Sequence, residues 1–354
     1  CNPDYTDQVY KMQKTFALSL TVNPEKQAAI EIERLLKFPG FLKRDSFAKG
    51  RVEIVELRVD ERSRLCNVAL SEMNRVIKCR VLVCAVLRRG DVVAPDGSFV
   101  LREGDRIFVT ASTESLATLL DNLGIITKKV NHVMICGGGR VSYYLAQQLE
   151  KDGMTVRLIE KDSKHCEELA ALLPKTEIIN DDASNTFVLK RENLESCDAL
   201  VTATGMDELN MIISLYGTKH GVSQVITKLG HMENGSMIDQ LPIGSTIWPK
   251  DLCCNGIVRY IRAMHNQTGA AVSVHSIADG KAEAIEFHVE EKKPYCDKPL
   301  KNMKVKQNIL VACITHGGVT ELPGGDSVIR EGDTVVVVTT RNDIIYKLDD
   351  IFEA

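Results

Sequence analysis

Val133-Met134-Ile135-Cys136-Gly137-Gly138-Gly139-Arg140-Val141-Ser142 joins a short apolar run to three glycines and the start of a helical pattern. The run reads as a buried strand, and from Val141 to Lys151 the residues Leu145 and Leu149 fall at helical spacing. Strand, glycine turn and helix in that order can cradle a phosphate. Glycines let the backbone turn sharply and approach closely, while free N–H groups and the positive end of the helix dipole face the anion. Further along, strands at Thr155 to Ile159, Glu177 to Ile179, Ala199 to Thr204 and Gln224 to Lys228 alternate with helices at Ser163 to Leu173, Asn185 to Glu192 and Asp207 to His220. Short continuous apolar strands between helices predict a parallel sheet covered on both faces, an α/β, Rossmann-like doubly wound domain.

In such a sheet ligands sit at the carboxyl ends of the strands, which selects the candidate residues. Gly137, Gly138, Gly139, Arg140 and Val141 form the loop, and Ser142 stands where the dinucleotide fingerprint has its third glycine. That serine adds bulk where helix–strand packing or phosphate approach is close, so it is expected to tune affinity. Glu160 ends the next strand, 23 residues after Gly137, near the offset at which a carboxylate accepts from ribose hydroxyls. An acid there favours NAD or NADH, or another free-ribose nucleotide such as ATP or ADP, over a carrier with a 2′-phosphate. Asp181-Asp182-Ala183-Ser184 follows the third strand, Thr204-Gly205 the fourth, and Lys228 ends the fifth. Plain structural readings stand beside these: a glycine turn used for packing, a solvated Asx turn, a surface lysine.

A second pattern spans the whole chain. Pro95-Asp96-Gly97-Ser98-Phe99-Val100-Leu101-Arg102-Glu103-Gly104-Asp105 recurs as Pro323-Gly324-Gly325-Asp326-Ser327-Val328-Ile329-Arg330-Glu331-Gly332-Asp333, a shift of 228 residues from Asp105 to Asp333. In each copy a helix opening at a proline (Pro24, Pro249) is followed by a β-rich stretch (Val52 to Val59; Ala271 to Ile277), a short helix, a strand (Val81 to Leu87; Ile309 to Thr315), the shared turn and an alternating strand (Asp105 to Thr110; Asp333 to Thr339). In the turn, glycine supplies a positive φ and aspartate a cap. The same shift puts the twin of the glycine loop before residue 1, so the expectation is one complete module and the tail of another. The domain boundaries are 1–45, 46–125, 130–265 and 268–354.

Composition removes several function classes. Hydrophobic residues at 44%, charged residues at 26% and a formal net charge of −4 describe a globular chain with no dense basic run, so nucleic acid is not an expected partner. No apolar stretch approaches the ~20 residues that cross a bilayer, and the start Cys1-Asn2-Pro3-Asp4-Tyr5 has no secretory pattern. Eleven cysteines without Cys-x-x-Cys spacing read as reduced core thiols, and the neighbours Cys253 and Cys254 as helix residues rather than a redox switch. Hydride transfer needs an acid or base aimed at the reacting carbon. His231, after the fifth strand, is the best placed histidine and has no evident pair; His132 and His165 read as ordinary structural residues. No catalytic residues and no metal ligands are assigned.

Taken together, Gly137 to Ala146, Asp182-Ala183-Ser184, Asp207-Glu208-Leu209-Asn210 and both Glu-Gly-Asp turns resemble the RCK-domain family of TrkA-type potassium-uptake regulators. Asn2-Pro3-Asp4-Tyr5 is similar to the end of the last strand of a first N-lobe. The resemblance covers essentially the whole chain. It implies tandem RCK modules with small α+β C-lobes and no enzymatic activity. It further implies assembly as a dimer or ring on the cytoplasmic face of the membrane, where nucleotide occupancy gates an integral-membrane potassium transporter. Carried over residue by residue, it puts Gly137 to Val141 around the pyrophosphate, Glu160 on ribose, Thr204 and Gly205 along the cleft, and a basic group at Lys228. The helix faces Ile30, Ile32, Leu35, Leu36 and Ile257, Val258, Ile261, Met264 then dock on a partner subunit or pack within the chain. An NAD-dependent dehydrogenase-like enzyme, and an RCK module sensing a cation through Asp181, Asp182 and Glu160 or sensing a cyclic nucleotide, are the alternatives left open.

Overall fold

The computed structural model describes residues 19–37, 41–61, 63–123, 129–230, 238, 241–264, 271–340 and 344–353. Helix α1 (Pro24–Lys37) precedes a first lobe of β1 (Lys43–Phe47), β2 (Val52–Arg58), α2 (Leu70–Ile77), β3 (Leu82–Arg88), β4 (Asp91–Val93), β5 (Arg106–Ala111) and α3 (Thr113–Leu123). The middle alternates as β6 (His132–Cys136), α4 (Arg140–Lys151), β7 (Thr155–Glu160), α5 (Ser163–Leu172), β8 (Glu177–Asn180), α6 (Thr186–Arg191), β9 (Ala199–Thr202), α7 (Asp207–Lys219), β10 (Gln224–Lys228) and β11 (Ser245–Ile247). Helix α8 (Pro249–Met264) leads to a second lobe of β12 (Ala271–Ile277), β13 (Ala282–His288), β14 (Ile309–His316), β15 (Val319–Glu321) and β16 (Thr334–Thr339). The described residues form two compact units, one within Cys1–Pro39 and Thr127–Ile257, the other within Gly40–Ile126 and Val258–Ala354.

In the first unit six parallel strands run in the order β8-β7-β6-β9-β10-β11. Strand β6 is central, and the chain winds outward from it in both directions, so the order reverses between β6 and β9. Alternation along β6 divides the core. Val133 and Ile135 join Leu145 and Leu149 on one face, whereas Met134 and Cys136 join Leu189 and Ile213 on the other.

Strand β11 is the element the sequence reading lacks. It has three residues, too few to show a period, and is fixed by parallel pairing of Ile226 to Lys228 with Ser245 to Ile247. Gly244, with φ +72°, delivers the chain to it: a Cβ there would lie 2.0 Å from the Val225 carbonyl oxygen.

Helix α1 settles one of the two open readings of the apolar helix faces. Ile32, Leu35 and Leu36 are buried with Ala28 and Ala29 in the same core as Leu145 and Leu149, so this face packs within the chain and is not offered to a partner. The two alanines permit close approach to α4. At the ends of α1 the Asn23 carboxamide oxygen accepts from the Lys26 N–H at 3.1 Å and the Gln224 side chain donates to the Leu35 carbonyl at 2.7 Å. Of the first set only Ile30 stays exposed, at 39%. On α8, Ile257 and Ile261 are 40% and 50% exposed, and the side chains of Val258 and Met264 lie outside the described residues.

The second unit holds two antiparallel five-stranded sheets of identical plan, β1-β2-β5-β3-β4 and β12-β13-β16-β14-β15. Gly104 and Gly332 both take φ +85°, as the repeated turn requires. The turn aspartates do more than cap. Asp105 is buried and receives Arg88 through Nε and one terminal nitrogen at 2.7 Å each, together with the Arg102 N–H at 2.7 Å. Its counterpart Asp333 receives the Arg330 N–H and, at 2.8 Å, His316 Nδ1. The short helix expected in both copies is helical only in the first, where Met73 and Ile77 anchor α2. In the second copy it reduces to a 3-10 turn at Leu300–Asn302, because the alternating Met303 to Lys306 stretch extends and bridges Val305 to Phe352.

Gly244→Ala is expected to destabilise the first unit by about 3 kcal/mol or more, since it combines a left-handed backbone with a backbone clash. Equilibrium denaturant unfolding checks this, and a loss below about 1 kcal/mol would contradict the account of β11.

Candidate functional site

Where the strand order reverses, a cleft of about 1010 Å³ opens at the carboxyl ends of β6 and β9. The residues assigned to nucleotide binding from the sequence line it: Gly137, Gly138, Gly139, Arg140, Val141, Glu160, Asp182, Ala183, Thr204, Gly205 and Lys228. Ser142 does not. It is fully buried on the inner face of α4 and its hydroxyl has no hydrogen-bond partner among the described residues, so its cost falls on helix packing and not on approach to a ligand. His231 lies outside the described residues, as do Asn2 to Tyr5.

Gly137 is the hinge of the loop. It has φ +98°, its N–H donates to the Ile159 carbonyl at 2.8 Å, and an added Cβ would stand 2.8 Å from Thr204 Cα and 2.9 Å from the Ala203 oxygen. Gly138 meets side chains instead, with Leu169 Cδ1 2.7 Å and Glu160 Cγ 3.0 Å from the position of a Cβ. Gly139 is the N-cap of α4 and supplies no side chain to its amides, which therefore face the cleft unclaimed by a capping group. The starts of α1 (Pro24, Glu25), α7 (Glu208) and α8 (Pro249, Lys250) reach the same wall. First-turn residues of several helices thus border one cavity, and the positive end of a helix favours an anion nearby.

Glu160 sits at the tip of β7 as the sequence spacing predicts, and its partners are visible. One carboxylate oxygen accepts from the Gly138 N–H at 2.7 Å and the other from the Asp162 N–H at 2.9 Å. The carboxylate therefore holds the glycine loop. Arg140 lies 3.7 Å from Glu25 and is half exposed. Asp182 accepts from the Ser184 N–H at 2.8 Å, and this amide and the Ser184 side chain hold its carboxyl below the usual range. Asp181 is lowered by the Asp182 amide and by Arg191. Among the described residues no three His, Cys, Asp or Glu side chains are grouped to hold a metal.

Two positions carry more than the sequence reading gave them. Asn210 is completely buried on α7; its oxygen accepts from the Thr204 N–H at 2.9 Å and hydroxyl at 2.7 Å, and its amide donates to the Lys228 carbonyl at 2.9 Å. It locks the tips of β9 and β10 together, while the Lys228 ammonium donates to the Thr204 carbonyl at 3.1 Å. A buried asparagine one turn into an amphipathic helix is the signal that locates it. His165 is the other. Its Nε2 lies 2.8 Å from the Gly138 carbonyl and its Nδ1 3.1 Å from a Glu168 oxygen. Both neighbours are acceptors, so satisfying both requires a proton on each ring nitrogen. Glu160 and His165 thus hold opposite ends of the Gly138 residue, from strand and helix respectively.

Residues 133–249 match the TrkA-N domain, and residues 54–124 and 284–352 each match the TrkA-C domain. Trk system potassium uptake protein TrkA homolog 1 of Methanosarcina mazei is 27% identical over 337 residues, covering 95% of this chain and 74% of the relative. Trk system potassium uptake protein TrkA of Haemophilus influenzae is 27% identical over 338 residues, 94% of this chain and 72% of that one. Among solved structures the GsuK RCK domain aligns with a TM-score of 0.54 at 14% identity, over 95% of this chain and 70% of that chain. The GsuK channel bound to NAD aligns with a TM-score of 0.52 at 14% identity, over 96% and 59%. At these identities the solved structures bear on fold alone, and the fold they share is the RCK arrangement.

Burial depresses the His165 pKa, and the Glu168 carboxylate, the Gly138 carbonyl and nearby Glu160 more than offset it, leaving the group above its ordinary value. A raised folded-state pKa means that the tie to Gly138 contributes fully below the unfolded value of about 6.5 and is lost as pH rises through the folded one. An NMR titration of the His165 ring is expected to give a midpoint above about 6.5, and Glu168→Gln to lower it. An unshifted midpoint, or one indifferent to Glu168, would contradict the doubly protonated arrangement.

Proposed function

We infer that this chain, which belongs to the TrkA family, is a regulatory subunit of potassium uptake that senses NAD or NADH in the β6–β9 cleft and gates a membrane potassium transporter. The observation that carries the reading is the Gly138 N–H, presented at the start of a helix without a side-chain cap and held by the Glu160 carboxylate. A diphosphate entering the cleft takes the amides of Gly138, Gly139 and Arg140. Glu160, released from Gly138, then accepts from the ribose hydroxyls. The exchange leaves neither the amide nor the carboxylate unpaired, so the ligand meets little desolvation cost there. Thr204 and Gly205 flank the diphosphate across the switch point, Lys228 adds a positive group, and Asp182 and Ala183 border the adenine side.

The tandem RCK order supports a gating role. Modules at 1–45 with 46–125, and at 130–265 with 268–354, give the chain order C-lobe, nucleotide domain, C-lobe. A ligand that prefers one hinge angle shifts the population toward it by no more than its difference in affinity for the two states. Near-complete switching takes roughly 5.5 kcal/mol of such preference. In this reading the subunit self-associates as a dimer or ring and sits peripherally on the cytoplasmic face of the membrane, against an integral-membrane potassium transporter. No helix among the described residues is long and apolar enough to cross a membrane. ATP or ADP would use the same loop and the same carboxylate.

A dehydrogenase reading gains little from the cleft. His231, the best placed histidine for such a reading, lies outside the described residues, and His165 and Lys228 on the cleft wall are engaged with backbone carbonyls.

Calorimetric titration of NAD, NADH, ATP and ADP against the chain and a Glu160→Ala variant tests the assignment. NAD or NADH is expected to bind, and the variant to bind about tenfold or more weakly through loss of a charged hydrogen bond. Absence of measurable heat with every nucleotide, or equal binding by the variant, overturns it. Absorbance of the nicotinamide with added alcohols, hydroxy acids or aldehydes is expected to stay flat, and steady turnover would favour the enzyme.

A further inference from the structure

The two lobes of the second unit meet across a shared core that belongs to neither alone. Phe47, Ile54, Leu87 and Phe108 from the first lobe are buried together with Ala278, Ala284, Ala312 and Val336 from the second. The contact has a local twofold plan, and rare backbone conformations establish which positions correspond. Ala48 and Ala278 both take positive φ, at 49° and 51°, opening the 3-10 turns Ala48–Gly50 and Ala278–Gly280. Directly after those turns Lys281 donates to the Gly90 carbonyl, and Arg51 lies beside Gly318. Gly90 and Gly318 are themselves corresponding residues at positive φ in the β3–β4 and β14–β15 hairpins.

Counting back three residues from each alanine gives Asp45 and His275, which pair with corresponding residues Ile54 and Ala284 in their sheets. These two corresponding positions touch each other. His275 Nδ1 lies 2.9 Å from an Asp45 carboxylate oxygen, with both side chains largely buried and the His275 ring 4.6 Å from the Phe47 ring. A position that meets its own counterpart marks the axis. If the first lobe met a copy of itself in the same way, two carboxylates would face each other, both acceptors and of like charge. If the second lobe did, two imidazoles would meet with no carboxylate between them.

Side-chain volume repeats the asymmetry independently. Val52, Ile54 and Phe108 in the first lobe correspond to Ala282, Ala284 and Val336 in the second, all in the shared core. Large residues on one side fill space left by small ones on the other. Two first lobes would overfill the core, and two second lobes would leave voids; both errors cost stability.

We propose that the two C-lobes are built to pair with each other and not with copies of themselves, with Asp45–His275 on the local axis and large-against-small packing around it as the code. The partner the code selects for each lobe is therefore the unlike lobe.

The test is a charge exchange in the full chain, followed by differential scanning calorimetry. His275→Asp sets a second carboxylate against Asp45 and is expected to lower the melting temperature of the second unit by about 5 °C. Asp45→His is expected to lower it by about 3 °C. The exchange carrying both substitutions restores a donor and an acceptor at the axis and is expected to recover at least half of the summed loss. His275→Asn keeps a donor for Asp45 and is expected to stay within about 1 °C of the parent protein. An exchange melting no higher than additivity allows, or a His275→Asn loss equal to that of His275→Asp, overturns the pairing code. Ala284→Ile tests the packing half in the same assay: it is expected to lower the melting temperature by about 3 °C, and a neutral result removes volume from the code.

Discussion

The cleft of the first unit depends on the contact between Gly137 and the backbone of Ala203 and Thr204. Strands β6 and β9 run side by side in register from Val133 with Ala199 to Cys136 with Thr202, and at their ends the chain must leave in opposite directions. Only a residue without a Cβ and with a positive φ can turn there without striking the neighbouring strand. That single turn fixes where α4 begins, which amides it leaves open, and how close a ligand can come to the sheet. The cleft exists because β6 and β9 diverge, and it has its shape because they first approach so closely.

Around that turn, polar groups are arranged so that the loop stands ready without a ligand. Glu160 holds the Gly138 amide, His165 its carbonyl, and Asn210 ties β9 to β10. Each bond satisfies a group that would otherwise be an unpaired donor or acceptor at the edge of a buried sheet. A loop held in this way pays less ordering entropy when an anion arrives. Ser142 is the exception, a fully buried hydroxyl without a partner among the described residues, on the inner face of the helix whose start lines the cleft.

The central domain was legible because its strands are continuous apolar runs and its helices carry apolar residues at a 3.6-residue spacing, signals that are local in the chain. The candidate residues were legible for a related reason: in a doubly wound sheet the ends of strands are the site, so finding the strands finds the cleft wall. What escaped was non-local. β11 is made by Gly244 and by pairing with β10, with no periodicity of its own. The partners of Glu160, His165 and Asn210 depend on which loops meet in space. The packing of Ile32, Leu35 and Leu36 could not be read either, because an apolar helix face looks the same whether it covers its own domain or another subunit. Here Ala28 and Ala29 decide the matter by letting the helix sit close on α4.

Duplication explains why so much of the second unit was visible as a repeat and so little of its asymmetry. The repeated turn keeps its aspartate buried in both copies, but Arg88 holds Asp105 while His316 holds Asp333. The guanidinium offers its carboxylate two N–H donors, whereas the imidazole meets Asp333 through one ring nitrogen. The same drift separates Asp45 from His275 and Phe108 from Val336. With two copies in one chain, the interface between the lobes does not have to fit itself, and each side is free to differ from the other. Corresponding positions that differ in charge or volume, and that meet or share a core, are the physical expression of that difference.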